Sequence, residues 1–156
     1  MKEVNFDNFI VFLDVDGVLC SYEDVKLRDK NDNENSFRKT AIDALNKIIE
    51  YYKADLCMIS GWNSKFASEK QYKEFLVNRG IKVNNLTFGN QHNRLEFILD
   101  LIKQGLKHYL IIDDEAHQYY ISMPQIEYSR ILQPNRYRCL DEYDFKMVTF
   151  NFKLNV

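Results

Sequence analysis

Two aspartates one residue apart close the apolar run FIVFLDVDGVLC, and a glycine follows at once. Side chains alternate along an extended chain, so Asp14 and Asp16 are expected on one side of a strand tip, with like charges near each other. Three arrangements answer that repulsion: a divalent cation, a phosphate chemistry in which the pair shares protons, or plain exposure to water. Two further apolar runs end in the same way. DLCMISGWNS reaches Ser60 and Gly61, and HYLIIDDEA reaches Asp113 and Asp114. Any one of these could be a solvated strand end, but three such tips in order are read most economically as one site.

The elements that must position these groups follow from periodicity. Phe37, Ala41, Leu45, Ile48, Ile49 and Tyr52 recur at helical spacing, with Ser36 where an N-cap would stand. A second helix is expected over Lys70 to Arg79, stopped by Gly80, and a third through Leu95, Ile98, Leu99 and Ile102, stopped by Gly105. Strands alternate with these helices, which predicts an α/β fold with a mostly parallel sheet covered on both faces and ligands outside the carboxyl ends of its strands. The polar segment 18–36 reads as a flap loop, and YSRILQP as a strand closed by Pro134. The tail 145–156 reads as strand-like, with Val148, Phe150, Phe152, Leu154 and Val156 on one face. Such a strand would lie at a sheet edge or pair across a dimer.

A chain of 156 residues with net charge −2 is sized for one domain, 1–156, and carries no electrostatic case for a duplex-wide nucleic-acid surface. No apolar run approaches the roughly 20 residues that span a bilayer. MKEVNFDN lacks the apolar centre of a signal peptide, so a cytoplasmic location is expected. Cys20, Cys57 and Cys139 show no CxxC spacing and read as reduced structural residues. His92, His108 and His117 show no metal-ligand spacing.

The order hhhh-Asp-x-Asp-Gly-Val, hhh-Ser-Gly, a basic residue at a helix start, then hhhh-Asp-Asp resembles the four motifs of the haloacid dehalogenase (HAD) superfamily of phosphotransferases. More narrowly, FLDVDGVLC, ISGWN, NRLEFIL and LIIDDE resemble the HAD phosphatase domains of Swiss-army-knife RNA repair proteins, from about Ile10 to Leu140. The resemblance implies a Rossmann-like three-layer αβα fold and a Mg²⁺-dependent phosphomonoester hydrolase with an aspartyl-phosphate intermediate. By the same resemblance, Asp14 is the nucleophile and Asp16 the general acid and base, while Ser60 donates to a phosphoryl oxygen and Arg94 neutralises developing charge. The implied metal set is Asp14, Asp16 through its backbone carbonyl, Asp113 and Asp114, with Asp114 either reached through water or orienting Asp113. Many relatives carry lysine at the third motif, so Arg79 or Lys82 are alternatives to Arg94.

Gly17 and Val18 stand where many of these phosphatases have threonine, and Trp62 and Asn63 where an arginine sometimes follows Ser-Gly. Trp62 reads as a core filler rather than a base-stacking platform. Neither interval between motifs is long enough for a cap domain, so a capless, open site is expected. By the same resemblance its partner is expected to be a phosphorylated substrate, a nucleic-acid end or nucleotide, met by Trp62, Arg94, Arg130 and Arg136. Arg138 belongs to the same basic segment, which also reads as a solvated patch. Two other classes stay open: a receiver-like phosphoacceptor domain, in which the order of the acids is reversed, and a catalytically silent HAD-fold binding module.

Overall fold

The computed structural model describes residues 3–24 and 37–151. Its strands are β1 (Ile10–Leu13), β2 (Asp55–Met58), β3 (Leu86–Phe88), β4 (Tyr109–Ile112) and β5 (Ile131–Leu132). They form one sheet in the order β3-β2-β1-β4-β5, every neighbouring pair parallel. The helices are α1 (Lys39–Tyr52), α2 (Glu69–Asn78), α3 (Arg94–Lys103), α4 (Ala116–Tyr119) and α5 (Glu142–Lys146). This is the α/β, three-layer, Rossmann-like arrangement expected from the alternation of strands and helices.

The run IVFL of β1 is buried at every position because the sheet is covered on both faces. Val11 and Leu13 pack into a cluster with Leu45, Ile48 and Ile49 of α1 and Leu76 of α2. Ile10 and Phe12 point the other way, into a cluster with Ile111, Ile98 of α3 and Ala116 of α4. The central strand thus separates two apolar layers.

Helix α1 starts at Lys39 behind an extended Arg38 that makes no side-chain cap, and it ends at Lys53 in the left-handed region (φ 51°). The expected cap Ser36 lies outside the described residues. Helix α2 is capped by Ser68, whose hydroxyl accepts the Gln71 N–H at 3.1 Å.

Three expectations meet corrections. Only Ile131–Leu132 of YSRILQP is strand; Tyr128–Arg130 is a 3₁₀ turn leading into it. The segment 18–36 is described as far as Asp24, and its first residues are not a polar flap: Val18, Leu19 and Cys20 are interior. The Leu140 N–H donates to Val18 O at 2.8 Å and pins them there.

The strand-like tail is also not found in the described residues. Met147–Asn151 continues α5 as a π-helical turn, and residues 152–156 lie outside the description. Asp141 and Asp144 form a capping box that starts the helix, and Val148 is fully buried on the α1 side of the core. Over Met147–Asn151, burial of Val148 by a helical path outweighs a short stretch of period-two alternation.

The chain runs outward from β1 through β2 to β3, then crosses to the other side for β4 and β5. The reversal lies between β1 and β4, which is where open α/β sheets place a binding crevice. The strands end level there. Leu13 is in register with Met58 of β2 and Ile112 of β4, and Ile112 with Leu132 of β5.

Candidate active site

Asp14 leaves β1 and Asp113 leaves β4 one residue past that level edge. The Asp14 N–H donates to Ile112 O at 2.9 Å, and the Asp113 N–H to Leu132 O at 3.2 Å. Side chains of Asp14, Asp113 and Asp114 converge there, with one ligand oxygen from each within 4.8 Å of the others. All three residues are buried.

Arg94, the first residue of α3, lies across this group. Its Nη1 donates to Asp113 Oδ2 at 2.7 Å and lies 3.7 Å from Asp14 Oδ2. The Tyr120 hydroxyl donates to the same Asp113 oxygen at 3.1 Å, and the Glu115 N–H donates to Asp113 Oδ1 at 2.9 Å. Asp113 is therefore held at both oxygens. Arg136 closes the outer side, with Nε 3.3 Å from Asp114 Oδ2 and Nη2 3.6 Å from Glu115. Its guanidinium also lies 5.0 Å from the Tyr22 ring centroid.

Burial, then the charge of Asp113, pushes the Asp14 carboxyl well above the usual carboxylate range, and Arg94 opposes them. Asp114 moves in the same direction, chiefly by burial, while its neighbour Asp14 works the other way. The repulsion that dominates thus lies between strands β1 and β4. For Arg94, burial works against the charge, yet Asp113 and Asp14 outweigh it and the guanidinium stays firmly protonated. Burial and Asp113 also push Tyr120 up, which keeps its hydroxyl a donor.

Asp16 lies on a turn that a glycine makes possible. Gly17 has φ +80°, its N–H donates to Cys20 O at 2.8 Å, and a Cβ there would meet Asp114 Oδ2 at 2.4 Å. The Asp16 side chain is outside the three-carboxylate group. Its Oδ1 accepts the Trp62 indole N–H at 2.9 Å and lies 3.4 Å from the Cys20 Sγ.

Ser60 follows β2 and is buried. It caps the 3₁₀ turn Gly61–Lys65, its Oγ accepting the Trp62 N–H at 3.2 Å. An oxygen that accepts there keeps its own proton for donation. Asn63 donates to Met58 O at 2.8 Å and to Gly89 O at 3.3 Å, tying the ends of β2 and β3 together.

The structure separates the remaining sequence candidates. Arg79 stacks on Phe75, 3.4 Å from the ring centroid, and Lys82 pairs with Glu50, so neither stands at the carboxylates. Arg130 is buried before β5 and donates to the carbonyl of Tyr109, the first residue of β4. That is the amino end of the sheet, opposite the carboxylates, and Arg130 is therefore no part of a surface there. Trp62 is interior and offers no face for stacking. The cysteines are free and buried, and burial pushes the Cys57 thiol up to about 12. Tyr120 and the Trp62 indole donor were missed in sequence. Tyr120 carries no motif, and only a helical turn after Asp113 brings it back.

Three buried carboxylates, with Asp14 and Asp114 both pushed toward their neutral forms, make an oxygen donor set short of positive charge. A hard divalent cation fits that set. Neither a search of curated proteins nor one of solved structures found a match to this chain. The family model described as the HAD domain in Swiss Army Knife RNA repair proteins matches residues 10–145, a span that holds every residue of the site, and the chain belongs to that family.

Proposed function

We propose that the chain is a Mg²⁺-dependent phosphomonoesterase that works through an aspartyl-phosphate on Asp14. The observation that carries this reading is the convergence of Asp14, Asp113, Asp114 and Arg94 at the sheet's reversal point, with Asp16 two residues beyond Asp14. Asp14, Asp113 and Asp114 would hold Mg²⁺, with the Asp16 carbonyl. When bound, the ion supplies Lewis-acid neutralisation of the phosphoryl oxygens and keeps Asp14 ionised.

In the first step a carboxylate oxygen of Asp14 forms a bond to phosphorus. The bond from phosphorus to the ester oxygen breaks, and that oxygen takes a proton from Asp16. In the second, the Asp16 carboxylate removes a proton from water as the water oxygen attacks phosphorus, and the acyl-phosphate bond breaks to return Asp14 and inorganic phosphate. Ser60 donates its hydroxyl to a phosphoryl oxygen. Arg94 holds Asp113 and presents a fixed cation beside Asp14 throughout.

No cap domain lies among the described residues, so substrate meets an open strand edge. A phosphorylated nucleic-acid end or nucleotide suits such an edge, and the family's association with RNA repair supports it. The surface for it lies on the Arg136 side, where Tyr22 and Tyr137 are exposed and their rings meet at 6.5 Å. Among the described residues no helix is long and apolar enough to cross a membrane, and the free cysteines suit a reducing, cytoplasmic compartment.

Turnover of a generic phosphomonoester with Mg²⁺ and with chelator tests the reading, followed by a panel of phosphorylated oligonucleotides, nucleotides and sugar phosphates. Mg²⁺-dependent release of phosphate that vanishes in Asp14→Asn supports it. Wild-type turnover retained by Asp14→Asn overturns the nucleophile assignment, and absence of turnover from every substrate favours a binding module.

A further inference from the structure

We infer that Trp62 is a positioning residue that holds the Asp16 side chain in place for proton transfer, an inference that rests on the role proposed above for Asp16. Asp16 is only partly buried, on a turn beyond the end of β1. A proton donor must lie within hydrogen-bond reach of the oxygen it serves, so the rotamer of this side chain decides whether it can act. The Trp62 indole N–H meets Oδ1 at 2.9 Å, with the Cys20 Sγ 3.4 Å from the same oxygen. An indole N–H donates and cannot accept, so this contact orients Asp16 without competing for its proton.

The indole is itself immobilised. Trp62 is 3% exposed, and its ring packs against Phe37 at 5.4 Å and Phe75 at 5.8 Å between centroids. The Lys65 ammonium lies 3.9 Å from the ring centroid, and Ser60 holds the Trp62 backbone. The residue after Ser-Gly thus carries rigidity from the end of β2 to the proton-transfer group after β1. A filler would need only the ring's volume. Here the polar edge of a buried ring is spent on one carboxylate oxygen.

The test is Trp62→Phe, which keeps an aromatic ring against Phe37 and Phe75 and removes the N–H. With phenyl phosphate, whose leaving oxygen needs a proton, kcat/KM, which reports the steps through formation of the aspartyl-phosphate and not its hydrolysis, is expected to fall by about one to two orders of magnitude. With 2,4-dinitrophenyl phosphate, whose leaving group departs as the anion, the loss is expected to be much smaller. Equal losses on the two substrates, or none on either, overturn the inference. A second readout needs no turnover and no Trp62 variant. The chain has one tryptophan, so its indole N–H gives a single peak in a ¹H–¹⁵N spectrum. Asp16→Asn exchanges a carboxylate acceptor for an amide and should move that peak upfield while the amide spectrum keeps its folded dispersion. An unmoved indole peak overturns the contact. If wild-type protein turns over no phosphomonoester, the phosphatase reading is what fails, and the indole peak alone decides whether Trp62 holds Asp16.

Discussion

Asp113 Oδ2 receives the Arg94 guanidinium at 2.7 Å, although the two residues come from different layers of the fold: one follows a central strand and the other opens a helix. Removing the cation leaves a fully buried carboxylate beside two more. Arg94→Met is therefore expected to lower unfolding stability in chelator by about 3 kcal/mol and to abolish turnover. Arg94→Lys should keep most of the stability and little of the rate, because a point charge does not reproduce a planar donor. Urea unfolding and steady-state kinetics on both variants check this.

Gly17 backs directly onto Asp114. Its φ of +80° strains any other residue, and a methyl group would overlap the carboxylate at 2.4 Å. Gly17→Ala is expected to destabilise by roughly 1–3 kcal/mol and to cost activity beyond that, by displacing Asp114. Activity at wild-type level in a folded Gly17→Ala protein contradicts the idea that Asp114 must stay where it is.

Crowding of Asp14, Asp113 and Asp114 sets the response to metal. Mg²⁺ at about 100 times its Kd should stabilise the protein by about 2.7 kcal/mol. For a chain of this size that is a rise of roughly 5–10 °C in Tm. Asp14→Asn should match or exceed wild-type Tm in chelator, since it relieves the repulsion, and should lose most of the Mg²⁺ response. Differential scanning fluorimetry with Mg²⁺ and EDTA reads both. An Asp14→Asn variant that responds like wild type rules Asp14 out as a ligand.

The α5 cap brings a pH dependence of its own. Burial pushes the Asp144 carboxyl from an ordinary 3.8 to about 6, and Asp141 adds to the shift while its backbone N–H opposes it. The folded state thus holds this proton more tightly than the unfolded chain. The stability it contributes is present below pH 3.8 and is lost as the pH rises through about 6. Denaturant midpoints across that window should fall more for wild type than for Asp144→Asn, which keeps the acceptor and cannot titrate. Parallel curves for the two proteins dismiss this account of the cap.

Arg130 and Arg136 are six residues apart at opposite ends of β5. Arg136→Gln, beside Asp114, should lower kcat/KM by roughly tenfold, or about 1.4 kcal/mol. Arg130→Gln should leave kcat/KM near wild type and cost about 1–2 kcal/mol of stability through its buried contacts with Tyr109. The reverse pattern would put the substrate at the amino edge of the sheet.

Strand tips were the legible part of this chain. A buried parallel strand must be apolar throughout, so the first polar residue after it marks the edge, and Asp14, Ser60 and Asp113 could be placed by that rule. Arg94 was legible through the family motif. Direction along a strand was not: charge and composition do not say which end of β5 an arginine serves, and Arg130 was put at the wrong one. Trp62 reads both as a core filler and as part of a partner surface; the structure has it interior, and neither reading finds its donor, because hydrophobicity gives a ring's place and says nothing of where its N–H points. The tail failed for another reason. Val148 and Phe150 alternate as a strand would, yet the Asp-x-x-Asp pair at Asp141 and Asp144 is a helix-start signal, and the helix prevails.

The level ends of β1, β2 and β4 turn strand length into a ruler. One residue adds about 3.3 Å along a strand and flips every side chain beyond it to the other face. A single-residue insertion inside Ile10–Leu13 or Tyr109–Ile112 would thus lift one carboxylate out of reach of the others and turn it toward the wrong layer. Loops may lengthen around this site, but the strands beneath it cannot gain or lose a residue without a matching change in their neighbours.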